Sequence, residues 1–258
     1  MALNGKTALV TGGGRGIGQA IAIACAKAGA DVVVAARSVD ELNETVKQVE
    51  ATGRKGIAIQ ADLGDRSALA GFIESVKSQS MDIDILVNNA GIGSSANAKL
   101  IVDYDDDFWE LSMALNLTAP YRLTKAFLPG MIEKGWGRVI NISSMLGKLG
   151  FPTAAAYTAT KHGLIGLTRT AALETATTGV TVNAICPGPI RTPMLVKRLQ
   201  ISADEMNISV EDVIRTMTPM GRILDPEDVA GLCVYLTSDL ANGITGESCN
   251  ISGGMVMH

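Results

Sequence analysis

The chain has 258 residues, 47% of them hydrophobic, 19% charged and 4% aromatic, with a formal net charge of −4. That length supports one sizeable core, read as a single domain over 1–258, and an acidic balance without a basic tail argues against a nucleic-acid or anionic-membrane partner. Cys25, Cys186, Cys233 and Cys249 are scattered, without a CxxC pair or a His cluster, which argues against a metal site or a disulfide framework.

The opening MALNGKTALV lacks the charged and apolar regions of a signal peptide, and no apolar run approaches the ~20 residues of a membrane span. A soluble, cytoplasmic protein is therefore expected. Lys6 to Val10 is a short apolar run that stops at Thr11-Gly12-Gly13-Gly14-Arg15-Gly16-Ile17-Gly18, and Ala20 to Ala28 then has helical spacing closed by Gly29. Val32 to Ala36 is continuously apolar, as suits a strand covered on both faces of a parallel sheet. An amphipathic helix follows from about Val39 to Ala51. Gly56 to Gln60 reads as a third strand ending at Asp62, Ser67 to Ser78 as a helix, and Ile83 to Val87 as a fourth strand ending at Asn88-Asn89.

A long helix enters near Asp105 to Asp107 and runs through Leu115, Leu123 and Leu128. Arg138 to Ile142 is a fifth strand that delivers Ser143-Ser144 into a loop. The helix carrying Tyr157 and Lys161 follows, then a sixth strand, Val180 to Ile185, broken by Cys186-Pro187-Gly188-Pro189. Strands and helices alternate throughout, which predicts an α/β fold with a doubly wound parallel sheet. From Ile190 to Met217 the alternation stops, and this stretch reads as a helical lid or as a surface helix pair. The Asp225 to Leu236 helix and a short strand, Gly246 to Ile251, complete the chain.

In an open α/β sheet, ligands collect at the carboxyl ends of the strands. Gly12, Gly14, Gly16 and Gly18 end the first strand and open a helix, where free backbone N–H groups and the helix dipole can hold a pyrophosphate. Their spacing is GxxxGxG rather than GxGxxG, and a tight turn alone would also use glycines. An acid about 20 residues on, at the end of the second strand, would mark NAD. That place holds Ala36 followed by Arg37, so no acid stands there to repel a 2′-phosphate. Arg37 and Arg15 can clamp one, which predicts NADP (NADPH) in preference to NAD.

Tyr157 and Lys161, four residues apart, share a helix face. A phenol titrates near pH ~10, and an adjacent ammonium favours the phenolate, so the pair can pass a proton to or from a substrate oxygen. The same spacing also fits a packed Tyr with a wet hydroxyl.

The glycine loop, Asp62-Leu63, Asn88-Asn89-Ala90-Gly91, Asn116, Ser144, the Tyr157 to Lys161 motif and Pro187-Gly188-Pro189-Ile190-Arg191-Thr192 together resemble the classical short-chain dehydrogenase/reductase family over nearly the whole chain. The resemblance implies a Rossmann-type single domain, a homotetramer, and hydride transfer between NAD(P) and a carbonyl or alcohol. It implies Tyr157 as the acid/base, Ser144 as the partner of the substrate oxygen, and Lys161 as the residue that holds the nicotinamide ribose and lowers the Tyr157 pKa. Asn116 would anchor a relay water. Asp62 and Leu63 would meet the adenine, Asn89, Ala90 and Gly91 would line the cofactor with Ile17, Pro187 and Gly188, and Ile190 and Thr192 would reach the nicotinamide amide. The tetramer would form through the Asp105 to Met131 and Tyr157 to Thr178 helices and the C-terminal strand.

Gly93, Met145, Leu146, Leu149, Phe151, Pro189, Met194 and Leu195 suggest a mainly apolar pocket, hence a small-to-medium ketone or secondary alcohol as the small-molecule substrate. Lys148, Arg191, Lys197 and Arg198 are the nearby cations that a carboxylate or phosphate would use. The chain is also similar to 3-hydroxybutyrate dehydrogenases, which use NAD and bind their acid with polar groups where this chain has Gly93, Leu146 and Ala154. Acyl-carrier-protein reductases often carry arginines where it has Gly135 and Thr178. Polyketide-type ketoreductases are similar as well.

Overall fold

The computed structural model describes residues 1–79 and 82–258; the side chains of Pro193, Met194, Lys197, Arg198, Ser202 and Glu205 also lie outside the described residues. Three of these, Met194, Lys197 and Arg198, belong to the pocket and cation sets above. Among the described residues seven strands form one parallel sheet. They are β1 (Thr7–Thr11), β2 (Asp31–Ala36), β3 (Gly56–Gln60), β4 (Ile85–Asn88), β5 (Gly137–Ile142), β6 (Val180–Pro187) and β7 (Ser248–Ile251). The order is β3-β2-β1-β4-β5-β6-β7, so the winding reverses between β1 and β4 and leaves a crevice beyond their carboxyl ends.

Each strand after β1 is preceded by at least one helix, the helices being α1 (Gly16–Lys27), α2 (Val39–Glu50), α3 (Arg66–Ser78), α4 (Asp106–Met113), α5 (Ala119–Lys134), α6 (Ala155–Thr175), α7 (Pro193–Met206), α8 (Val210–Met217) and α9 (Pro226–Thr237). The period-2 alternation of each strand serves both faces at once. Val10 and Val34 pack with Ile21, Cys25, Leu42 and Cys233 of α1, α2 and α9. Leu9 and Val33 point the other way, onto Phe72, Leu123, Met131 and Ala171 of α3, α5 and α6.

Helix starts follow their caps. Ser38, Asp65, Asp105, Thr192 and Ser209 each accept a first-turn N–H with the side chain. Asp225 and Asp228 close a capping box on α9.

Two features differ from the sequence pattern, and one stretch is filled in. The long helix from Asp105 is divided by a π-helical segment, Ala114–Thr118, which turns Asn116 inward. Such single-turn irregularities leave no mark on apolar periodicity. Strand β6 continues through Cys186 to Pro187, in register with Ile251 of β7, because a proline is tolerated as the last residue of a strand. The Ile190 to Met217 stretch contains α7 and α8, which share a small core of Leu199, Ala203, Val213 and Ile223.

Candidate active site

The glycine loop is built to bring backbone close to a ligand. Gly12 has φ +63°, and a Cβ there would stand 2.8 Å from Asn89 Nδ2; only glycine suits both the left-handed backbone and the contact. At Gly18 a Cβ would fall inside contact distance of the Gly12 carbonyl oxygen and 2.5 Å from Asn89 Nδ2. Helix α1 then begins at Arg15 with no side-chain cap and no acid in its first turn, so its leading N–H groups remain available to an anion. Asn89 Nδ2 donates to the carbonyls of Thr11 and Gly12 at 2.9 and 3.2 Å, which fixes the loop against the end of β4. Thr11 Oγ1 accepts the N–H groups of Asn89 and Ala90 at 3.0 and 3.1 Å. A pyrophosphate-bearing dinucleotide fits this cradle.

At the end of β2, Arg37 and Asp62 share a hollow of about 640 Å³ with Ile59, Gln60, Ala61 and Phe72, room for an adenine edge. Leu63 is buried beside it. Arg15 does not stand free: its guanidinium lies 3.4 Å from Glu41 Oε1, both side chains being exposed. Glu41 was not singled out in the sequence, because it lies past the strand end, in the first turn of α2; only the fold brings it to Arg15.

Asn116, Ser144, Tyr157 and Lys161 converge beyond β4 and β5. Asn116 is buried, accepts the Ile92 N–H at 2.8 Å, and donates to the Ile92 carbonyl at 3.0 Å and Thr160 Oγ1 at 3.3 Å. A Cβ on Gly91 would sit 3.0 Å from Asn116 Oδ1 and 3.8 Å from Lys161 Nζ, so Gly91 leaves the space between them open. Lys161 donates to the Ile142 carbonyl at 2.7 Å. Its neighbour Ser143, which sequence reasoning passed over, donates to the Lys161 carbonyl at 3.0 Å and pins the helix to the strand end. Ser144 accepts the Leu146 N–H at 3.1 Å and is hydrogen-bonded to the Tyr157 phenol.

Burial dominates the electrostatics of the pair. Lys161 Nζ lies 5.5 Å from the Tyr157 ring centroid, yet burial pushes the phenol pKa up, with the Ser144 bond opposing and Cys186 reinforcing. The same burial lowers Lys161 to about 8. Burial disfavours the charged form of each group, so the phenol is neutral in the folded protein.

Beyond β6, Gly188 donates its N–H to Ile251 at 2.8 Å, and Ile190 bridges to Leu224. Thr192 caps α7 by accepting the Leu195 N–H at 3.3 Å. Of the anticipated cations, Arg191 Nε is held by Asp225 at 2.7 Å, and Lys148 Nζ donates to two main-chain oxygens. Of the anticipated pocket residues, Leu195 packs against the α7–α8 core. Phe151 lines a hollow of about 670 Å³ with Leu100, Trp109, Thr158 and His162. Leu146 and Ala154 are buried.

Comparison with known proteins agrees with this geometry. Residues 6–202 match the family model described as short chain dehydrogenase. D-beta-hydroxybutyrate dehydrogenase of Cupriavidus necator is 38% identical, covering 98% of this chain and 99% of its own. The 3-oxoacyl-[acyl-carrier-protein] reductase of Synechocystis is 39% identical, covering 99% of both. Among solved structures, an actinorhodin polyketide ketoreductase with NADPH superposes with a TM-score of 0.88 at 35% identity, over 97% of each chain. Sheet order, glycine cradle and clustered polar residues thus coincide with similarity along the full length, and the chain belongs to the short-chain dehydrogenase family, as an oxidoreductase that interconverts CH–OH and C=O groups.

Proposed function

We propose that the protein is an NADP(H)-dependent reductase of a small-to-medium, partly apolar ketone, with Tyr157 as acid/base and Ser144, Lys161 and Asn116 as its partners. The observation that carries this is the buried cluster at the ends of β4 and β5, in which Asn116, Ser144 and Lys161 are fixed by hydrogen bonds to Ile92, Leu146 and Ile142 beside the Tyr157 ring. When bound, the nicotinamide cofactor supplies or accepts the hydride. As a carbonyl carbon is reduced, charge grows on its oxygen, and Tyr157 delivers a proton there. Ser144 accepts from Leu146, and its one rotatable O–H can turn from the Tyr157 phenol to that oxygen. Positioned proton transfer is worth about 10²–10⁴ in rate. Lys161, with a pKa of about 8, holds the nicotinamide ribose and returns a proton to Tyr157 through a water anchored at Asn116.

The remaining contacts follow the same reading. Gly12, Gly14, Gly16, Ile17 and Gly18 cradle the pyrophosphate, and Asp62 and Leu63 meet the adenine. Asn89, Ala90, Gly91, Pro187 and Gly188 line the middle, and Ile190 and Thr192 receive the amide. Arg15 and Arg37 hold the 2′-phosphate, and α7 and α8 act as the substrate lid. Exposed Leu111, Tyr121, Ile132 and Leu173 on α4, α5 and α6 favour a homotetramer through those helices, which light scattering tests. Four free thiols suit the cytoplasm. Among the described residues no helix is long and apolar enough to cross a membrane.

Titration with NADPH and NADH, followed by a panel of β-keto esters, aryl ketones, acetoacetate and acyl thioesters, tests the assignment. Tighter NADPH binding with turnover of apolar ketones supports it, and Tyr157→Phe then abolishes turnover with cofactor affinity nearly intact. Substantial residual activity in that variant refutes the role of Tyr157. A second reading is favoured by the relatives, named for 3-hydroxybutyrate, 3-oxoacyl and polyketide substrates: a 3-oxoacyl group. Preference for NADH with acetoacetate, or for the thioester, selects it.

A further inference from the structure

The loop that carries Ser144 is held from two sides. On the α6 side the contact is close packing: a Cβ on Gly147 would lie 2.5 Å from Ser143 Oγ and 2.9 Å from the Lys161 carbonyl oxygen. On the other side the loop has one long arm. Lys148, in the turn that Ser144 opens, extends its ammonium to the main-chain oxygens of Ser248 and His258, each at 2.7 Å. The first of these lies at the start of β7 and the second at the end of the segment that follows it.

That segment is organised as a receptor for the lysine. Asn250 Nδ2 donates to the main-chain oxygens of Val256 and His258 at 3.1 and 3.3 Å, and Ser252 Oγ accepts the Val256 N–H at 3.1 Å. Gly253 and Gly254 turn the chain with φ of +63° and +89°. The same segment reaches two further parts of the site. Gly188 lies so near Ser252 that a Cβ would stand 2.8 Å from its Cα, and Met220, just past α8, donates to the Gly253 carbonyl at 3.0 Å.

We infer that Lys148 is a positioning residue: by tying the Ser144 loop to Ser248 and His258 it fixes where the Ser144 hydroxyl meets the substrate oxygen. A charged donor shared between two main-chain oxygens makes short, strong bonds, and the ammonium is thereby committed to the fold rather than to a substrate anion. Placement of reacting groups within a fraction of an ångström matters, since a 1 Å error can lower a rate by about 10²-fold. The inference rests on the role given above to Ser144.

The test is a double-mutant cycle in kcat between Lys148→Met and Ser144→Ala, with NADPH affinity measured in parallel. Lys148→Met should lower kcat on the order of 10-fold, with NADPH Kd within about twofold of wild type, because the arm acts on the loop and not on the cofactor cradle. In the Ser144→Ala background the same substitution should change kcat little, since its effect passes through the serine. Lys148→Arg, whose fork also reaches two main-chain oxygens, should restore most of the rate. Asn250→Ala, which loosens the receptor and leaves the lysine in place, should shift kcat the same way to a smaller extent, and it stands in should Lys148→Met not fold. Full kcat in Ser144→Ala would remove the premise, the serine role itself. An impaired Ser144→Ala beside an unimpaired Lys148→Met, or losses that simply add, would overturn the positioning role alone.

Discussion

Lys161→Met should make the cofactor-free protein more stable at pH 7 while removing its activity. Lys161 is 4% exposed, and burial takes its pKa from 10.5 to about 8. At 1.36 kcal/mol per pH unit, holding the proton in the fold costs about 3 kcal/mol. Methionine, of similar length, removes that cost and loses a charged hydrogen bond to Ile142, worth about 1.5–3 kcal/mol. A net gain of about 1 kcal/mol remains, a Tm rise of about 2–4 °C for a chain of this size. The pH dependence isolates the cause. Below pH about 8 folded and unfolded wild type both carry the proton and the full penalty stands. Between about 8 and 10.5 the unfolded chain binds a proton that the folded one lacks, so wild-type stability rises with pH. The advantage of Lys161→Met should therefore shrink by about 2 kcal/mol from pH 7 to pH 9.5. Urea unfolding of both proteins at the two pH values measures this. A variant less stable than wild type at pH 7, or a difference that does not change with pH, would refute the account of the buried ammonium.

Other substitutions probe the cradle, the cofactor choice and the loop. Gly18→Ala must push the Gly12 carbonyl aside; calorimetric titration should show NADPH affinity down by 10-fold or more, with a stability loss of about 1–3 kcal/mol as for other overpacked sites. Glu41→Gln releases Arg15 from an exposed pair worth about 0.2–1 kcal/mol, so NADPH binding should tighten by at most about fivefold while NADH binding stays level; equal effects on both would remove Arg15 from the 2′-phosphate. Thr153, a β-branched residue at φ +63° in the loop before α6, carries about 1–2 kcal/mol of left-handed backbone strain. Thr153→Gly should relieve it, less the entropy of glycine of about 0.5–1 kcal/mol, and a lowered Tm would show that the Thr side chain makes up the difference.

The sheet was legible because its strands are short, mainly apolar runs, continuous in β2 from Val32 to Ala36 and in β4 from Ile85 to Val87, separated by helical spacing, as strands buried on both faces should be. The cradle was legible for a related reason: Gly12 and Gly18 are where a Cβ would collide with backbone, so their identity in sequence already reports a close approach. What stayed hidden involves residues distant in sequence and chemically ordinary. Glu41 is one more acid on an amphipathic helix until α2 is laid beside the glycine loop. Ser143 reads as a turn residue until its hydroxyl is found on the Lys161 carbonyl. Lys148 reads as a candidate anion receptor until its ammonium is found on residues 100 and 110 positions away.

The direction of the Tyr157 shift makes the same point in energetic terms. A Tyr and a Lys four apart specify a shared face and hence an attraction that lowers the phenol pKa. The opposing influence is burial of the phenol in the assembled fold, which Cys186 reinforces and the Ser144 bond only partly offsets. Burial belongs to the assembled fold and not to the motif, so the spacing, which lets the pair pass a proton in either direction, leaves the resting protonation of Tyr157 to the fold. For carbonyl reduction the neutral phenol is the useful state, since the proton needed by the developing oxyanion is already on Tyr157. Lys161, lowered by the same burial to about 8, then exchanges its own proton near neutrality, which suits the group that must reload Tyr157 after each turnover.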